Sequence, residues 1–332
     1  MITADTTFTV PLRVSISITV EQPGTAEEVV TPEVTAAQTD TQIDPAVLAE
    51  GMARLEANRD RPYYDSAADT ATAESYYQGV DNAASPTELI TALKDLLEQT
   101  HTRPRAYKPS DWVYPWVDLH PDRKLRSIYS GKAFAPEELI REDARVEAMR
   151  TRRLQALVAS ESAIGPGRFA DELTVLDAEM PFNCEHVVPQ SSFDKAEPMR
   201  GDLHHLFACE SRCNSFRGNI PYFDFTDFEE VLRQDCGKRE PDRFEPISGK
   251  GAVARATMYF LVRYPGVVGD VARELQAERM SILLAWHEAD PVGEWERHRN
   301  AAIAEIQGNR NPLIDHPDWA GRIAFDEHFG QP

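Results

Sequence analysis

The sequence predicts an α+β fold dominated by helices, with a small β–loop–β–α element set among them and an amphipathic β-strand at the N-terminus. Three observations predict it. Residues 8–20 alternate with period two, most of 45–332 carries helical periodicity, and 180–225 breaks into short apolar runs separated by polar clusters and glycine.

The N-terminal strand places Phe8, Val10, Leu12, Val14, Ile16, Ile18 and Val20 on one face, with Pro11 favouring an edge position. One strand cannot bury its own apolar face, so residues 1–20 are expected to join a sheet, a protein partner or a second copy. Residues 21–44 lack periodicity, are rich in Thr, Ala, Pro and Glu, and read as an acidic linker. Asp44-Pro45 then starts a helix with Val47, Leu48, Met52 and Leu55 on one face. A second helix is expected over 86–100, striped by Leu89, Ile90, Leu93, Leu96 and Leu97. A third over 136–160 carries Arg145, Arg150, Arg152 and Arg153 on a solvated face, with a phosphate-contacting surface as the alternative. Helical spacing returns over 251–264 and 271–308, where Trp286 and Trp295 read as core.

A formal net charge of −20 argues against a tight binder of phosphate backbones. Its distribution weakens that argument. Residues 1–100 hold 17 acids against 5 bases, a balance of −12; residues 185–264 hold 13 against 11, only −2. No apolar run reaches the ~18 residues of a membrane span. The N-terminus shows neither a basic cluster nor a continuous apolar stretch, so a cytoplasmic protein is expected, with secretion by another route left open.

The informative stretch runs Asn183-Cys184-Glu185-His186-Val187-Val188-Pro189, then Met199-Arg200-Gly201-Asp202-Leu203-His204-His205-Leu206, then Asn214-Ser215-Phe216-Arg217-Gly218-Asn219. Cys184 to Val188 reads as a strand, Leu203 to Phe207 as a second, and Glu210 to Arg217 as a two-turn helix stopped by Gly218. That places an imidazole on the first strand and an amide on the helix. Phosphodiester hydrolysis needs a base to deprotonate water and a cation to offset developing charge. Neutral imidazole suits the first task, and Asn and Glu oxygens suit a hard divalent cation.

These three segments resemble the signature of the endonuclease I family, within the ββα-metal (His-Me finger) nucleases. Further landmarks follow in the family's order over roughly 60–315: Tyr76-Tyr77-x-Gly79, Ile128-Tyr129-Ser130-Gly131, Lys250-Gly251-x-x-Ala254-Arg255, Tyr259, Trp295-Glu296-x-x-Arg299 and Gln307-Gly308-Asn309-x-Asn311-Pro312. The resemblance implies a nuclease domain over 45–332 with its ββα core at about 183–219. It implies His186 as general base, Glu185 and Asn214 as ligands of Mg²⁺ (or Mn²⁺), and cutting of DNA, and often RNA, with little sequence preference to leave 5′-phosphate ends. Phosphate contacts position a substrate without identifying bases, which accounts for such indifference. Arg217 is taken as a catalytic candidate, touching phosphate or orienting the helix, and Asp202, His204, His205 and Asn219 as supporting residues. The gap from His186 to Asn214 is short beside the Cys-bearing loop of secreted relatives. The phosphate-stabilising cation is therefore unassigned among Lys195, Arg200 and Arg217. A sequence-specific HNH-type nuclease is the enzymatic alternative, but residues 1–60 hold no basic recognition helix. A nuclease fold kept only for binding is the other.

Cys184, Cys209, Cys213 and Cys236 all fall in or beside this segment. A structural Zn²⁺, a pair of disulfides and free thiols are the three alternatives, and zinc is favoured by the Cys209-x₃-Cys213 spacing.

Overall fold

The computed structural model describes residues 43–330 apart from 83, 165–167, 169–171, 173–182, 227–231 and 271–275. The expected strand over 8–20, with the partner or self-association attached to it, lies outside the described residues.

Helix α1 (Pro45–Ala57) starts as its Asp44-Pro45 signal predicts, because the Asp44 carboxylate accepts from the Ala46 amide and Pro45 opens the first turn. After α2 (Ser66–Tyr76), helix α3 (Pro86–Thr100) has a complete capping box, with Ser85 and Glu88 satisfying each other's amides. Its stripe of Leu89, Ile90, Leu93 and Leu97 is fully buried. A short helix α4 (Pro109–Trp112) runs into a buried π-helical turn over Val113–Val117. A minimal hairpin, β1 (Leu125–Arg126) and β2 (Ala133–Phe134), leads into the long helix α5 (Pro136–Ile164).

The predicted β–loop–β–α stretch forms with two changes, the first being that its opening strand stops at His186 rather than Val188. Strand β3 (Cys184–His186) pairs antiparallel with β4 (Leu206–Ala208), and helix α6 (Ser211–Arg217) follows. The second strand was expected to begin at Leu203. Leu203–His205 instead form a 3₁₀ turn, because the Asp202 side chain accepts from the His204 amide and caps it. Gly218 ends α6 with φ of 58°, as its position predicts.

A three-stranded antiparallel sheet follows: β5 (Leu232–Gln234), β6 (Gly237–Glu240) and β7 (Arg243–Pro246). Helix α7 (Lys250–Arg263) is buried almost all round. The expected helical run over 271–308 is split into α8 (Met280–Ala289) and α9 (Glu294–Gln307), because Asp290-Pro-Val-Gly293 cannot continue a helix. A last short helix, α10 (Pro312–Asp315), is capped by Asn311. No helix among the described residues is long and apolar enough to cross a membrane.

The β3–β4 hairpin separates two apolar clusters. Cys184, Leu206 and Ala208 face one, built on α4, the π-turn and α5; Val187, Phe207 and Cys209 face the other, built on α3, α7 and α8. Alternation along a strand sends neighbouring residues to opposite faces, so a two-stranded ribbon serves both cores. Strand β4 is pinned from behind. The Asp118 carboxylate accepts from the Ala208 amide at 2.5 Å and pairs with Arg299 of α9. Arg299 in turn donates to the carbonyls of Leu203 and Leu206 at 3.0 and 2.9 Å. A short hairpin with little core of its own is thereby locked between helices.

Candidate active site

His186 ends strand β3 and is 6 % exposed. Its Nε2 lies 2.9 Å from the Arg200 carbonyl oxygen. A carbonyl only accepts, so Nε2 carries the proton and Nδ1 holds the lone pair. Among the described residues Nδ1 has no hydrogen-bond partner, and it is not sealed from solvent. Burial, followed by the neighbouring His205, holds the imidazole well below its ordinary pKa, so it stays neutral. Its ring sits 4.6 Å from that of Tyr107 and 5.3 Å from that of His205.

The turn bearing the Arg200 carbonyl is itself braced. His205 Nε2 bonds the Met199 carbonyl at 2.7 Å, and the Glu197 carboxylate accepts from the Gly201 amide at 3.1 Å. His205 thus supports the turn that orients His186.

Glu185 faces the opposite side of the strand and is almost fully buried. Its Oε1 accepts from the Tyr129 hydroxyl at 2.7 Å and from Arg217 Nη1 at 2.9 Å. Burial pushes its pKa up to about 7, against the opposing pull of Arg217 and Tyr129. Its Oε2 has no hydrogen-bond partner among the described residues and is not sealed from solvent. On α6, Asn214 donates Nδ2 to the Cys184 carbonyl at 3.0 Å, which fixes the amide and leaves Oδ1 as an acceptor. Among the described residues neither oxygen has a hydrogen-bond partner, and carboxylate and amide oxygens are the donor types a hard divalent cation takes.

Of the two roles expected for Arg217, touching phosphate or orienting the helix, its contacts match the second. It is 2 % exposed, and its donors are spent inside the protein: Nε on the Ile220 carbonyl, Nη1 on Glu185 and the His186 carbonyl, and Nη2 on the Val187 carbonyl. A guanidinium wedged this way is a bracket between α6 and β3. Arg200 stands differently. It is half-buried, its Nε donates to Gln190, its guanidinium lies 5.3 Å from the Tyr107 ring, and it lines a cleft of about 450 Å³ beside α5. Lys195 is exposed on the intervening loop.

Asp202 and His204 point away from His186. The Asp202 carboxylate accepts from the Tyr259 and Tyr264 hydroxyls, each at 2.8 Å, and from Gln307, while His204 Nε2 meets the Asn309 carbonyl. They knit the hairpin to α7 and the end of α9. Asn219 lies exposed beyond α6. The sequence reading missed Tyr107 and gave Tyr129 no site role; the Ile-Tyr-Ser-Gly motif was the available signal for Tyr129.

The cysteines correct the zinc expectation. Cys213 and Cys236 form a disulfide that ties α6 to the β5–β6 turn. Cys184 and Cys209 are free and buried; Cys184 lies in one apolar cluster and Cys209, with Cys213 and Cys236, in the other, so the hairpin keeps Cys184 from the other three sulfurs. The closest metal-like grouping among the described residues, Glu210, Cys213 and Cys236, uses sulfurs already bonded to each other. Thiol titration of denatured, unreduced protein should therefore find two thiols, rising to four after reduction. Four thiols before reduction would contradict the pairing. Closing a loop across a separation of 23 residues should contribute about 3 kcal/mol, read as the loss of unfolding free energy in a Cys213→Ser/Cys236→Ser variant.

Known proteins with similar sequences are secreted nucleases. The chain is 37 % identical over 160 residues to an extracellular ribonuclease of Bacillus subtilis, covering 43 % of this chain and 54 % of that protein. It is 27 % identical over 196 residues to an extracellular deoxyribonuclease of Aeromonas hydrophila, covering 56 % and 77 % respectively. A periplasmic deoxyribonuclease of the same organism matches at 29 % over 196 residues, covering 56 % and 74 %. The chain spans about half the length of the Bacillus ribonucleases it matches. The Endonuclease I family model matches residues 125–318, and the chain belongs to that family of nucleases. The expectation of a cytoplasmic protein is corrected by these relatives, which are named as extracellular or periplasmic. A disulfide suits such an oxidising location.

Proposed function

We propose that this chain is a secreted, divalent-metal-dependent endonuclease that hydrolyses DNA and RNA phosphodiesters with little sequence preference. The observation carrying this reading is the state of His186, buried and neutral, with Nε2 fixed on a backbone carbonyl and Nδ1 open. In this reading β3, β4 and α6 are a ββα-metal core. His186 Nδ1 takes the proton from the attacking water. Glu185 Oε2 and Asn214 Oδ1 hold Mg²⁺ or Mn²⁺, with Arg217 positioning Glu185. The cation, when bound, supplies positive charge at the phosphorane and the leaving 3′-oxygen. In this reading Arg200, beside Tyr107 and next to the His186 anchor, meets the scissile phosphate.

The relatives support both substrate types, since one is named a ribonuclease and another a deoxyribonuclease. The test is cleavage of supercoiled plasmid and of single-stranded RNA with Mg²⁺, with Mn²⁺ and with excess chelator. Nicking of plasmid and degradation of RNA, both abolished by chelator and leaving 5′-phosphate ends, is expected. Cleavage undiminished in chelator would overturn the metal-dependent reading.

A further inference from the structure

Outside the residues so far assigned, a basic feature lies close to His186 in the described structure: the segment between α3 and α4. Arg103 and Lys108 are exposed on it, Arg103 keeping one outer contact from Nη2 to the Ala304 carbonyl at 3.4 Å, and Arg105 is half-buried. Arg105 caps the C-terminal end of α9, donating Nη2 and Nε to the Ile306 carbonyl at 2.6 and 3.2 Å. Its guanidinium lies 4.7 Å from the Trp112 ring, and that of Arg54 lies equally close to the same ring. Three guanidiniums are thus crowded together: after burial, Arg103 and Arg54 are what disfavour the charge on Arg105. The nearby acids are Glu50 and Asp111, which Arg54 meets at 2.9 and 3.9 Å, and Asp143 and Glu147, which line the same cleft as Lys108, Arg150 and Arg200.

Stability does not require that crowding, because like charges repel at this range. Position gives it a use. The backbone of this segment lies directly against Gly201, where any Cβ would overlap the Arg105 carbonyl. Gly201 follows Arg200, whose carbonyl anchors His186. On the same segment, the Tyr107 ring lies beside His186 and under the Arg200 guanidinium. The basic segment and the imidazole are therefore fixed to one another through two consecutive residues.

We infer that residues 103–108 form the track along which one strand of the nucleic acid leaves the cleavage point, with Arg103 and Lys108 contacting its phosphates and Arg105 holding the track in place. A chain of net charge −20 repels a polyanion in bulk, so a local run of cations beside the site would be needed to seat one. The inference rests on the nuclease reading and deepens it.

The test compares wild type with Arg103→Gln/Lys108→Gln, and with a control of equal charge change at two ion-paired surface arginines outside the segment, Arg59→Gln/Arg126→Gln. KM on duplex DNA and its salt dependence are measured alongside kcat and the thermal midpoint. Each duplex phosphate contact contributes about 0.9 to the log–log salt slope, so the track variant should lose about 1.8 from it. Between ~50 and ~200 mM salt the wild-type KM should then rise about tenfold more than that of the variant. kcat should be unchanged, and the control should match wild type. An unchanged slope in the track variant, or a loss confined to kcat, would overturn the track. Absence of metal-dependent cleavage by wild type would instead overturn the nuclease reading itself.

Discussion

Replacing His186 with alanine is expected to lower the rate of metal-dependent cleavage by about 10²–10⁴-fold, the range that a positioned general base contributes. The geometry makes this a loss of chemistry rather than of fold. His186 contributes one hydrogen bond to the Arg200 carbonyl, and losing such a bond costs about 1 kcal/mol. The surrounding turn keeps its other braces, from His205 to the Met199 carbonyl and from Glu197 to the Gly201 amide. Substrate affinity and metal requirement should therefore stay near those of wild type. A variant that unfolds, or that cleaves at more than a tenth of the wild-type rate, would contradict the role given to this imidazole.

The second large effect is expected at Arg217, through stability as well as activity. Arg217→Met keeps the bulk of the side chain but leaves the buried Glu185 carboxylate without its cation. Removing one partner of a buried ion pair costs about 3–5 kcal/mol, and three carbonyls, those of His186, Val187 and Ile220, lose donors as well. The carboxyl group, already pushed up to about 7 by burial, should rise further and stand protonated at neutral pH. A protonated carboxyl is a poor ligand for a hard cation. Denaturant unfolding should show the stability loss, and calorimetric titration with Mn²⁺ should show weaker binding. A stability change below about 1 kcal/mol would mean that Arg217 is not the bracket described above.

Much of the fold was legible because its local signals agree with its packing. Ser85, Pro86 and Glu88 mark a helix start, and the apolar spacing behind them is the buried stripe of α3. The Glu-His pair, the Asp-Leu-His-His-Leu run and the Asn-x-x-Arg helix were visible as motifs, and the structure brings them into one hairpin and one helix. What was hidden depends on distance in sequence. Nothing local says that the Arg217 guanidinium turns inward to Glu185, 32 residues earlier, rather than outward to substrate. Tyr107 comes beside His186 only because the segment between α3 and α4 folds against Gly201. The pairing of Cys213 with Cys236 likewise required the three-stranded sheet, whose short strands carry no pattern strong enough to read.

The most direct measurement of the central claim is a Mg²⁺ titration of plasmid cleavage by wild type, His186→Ala and Asn214→Ala under identical conditions. A base and a metal ligand fail differently. His186→Ala should reach a much lower maximal rate at the same half-saturating Mg²⁺, whereas Asn214→Ala should need more Mg²⁺ to reach its own maximum, by about tenfold or more if the amide is a ligand. Two variants indistinguishable from wild type, or a shift of metal requirement in His186→Ala with its maximal rate intact, would contradict the assignment of base and ligand.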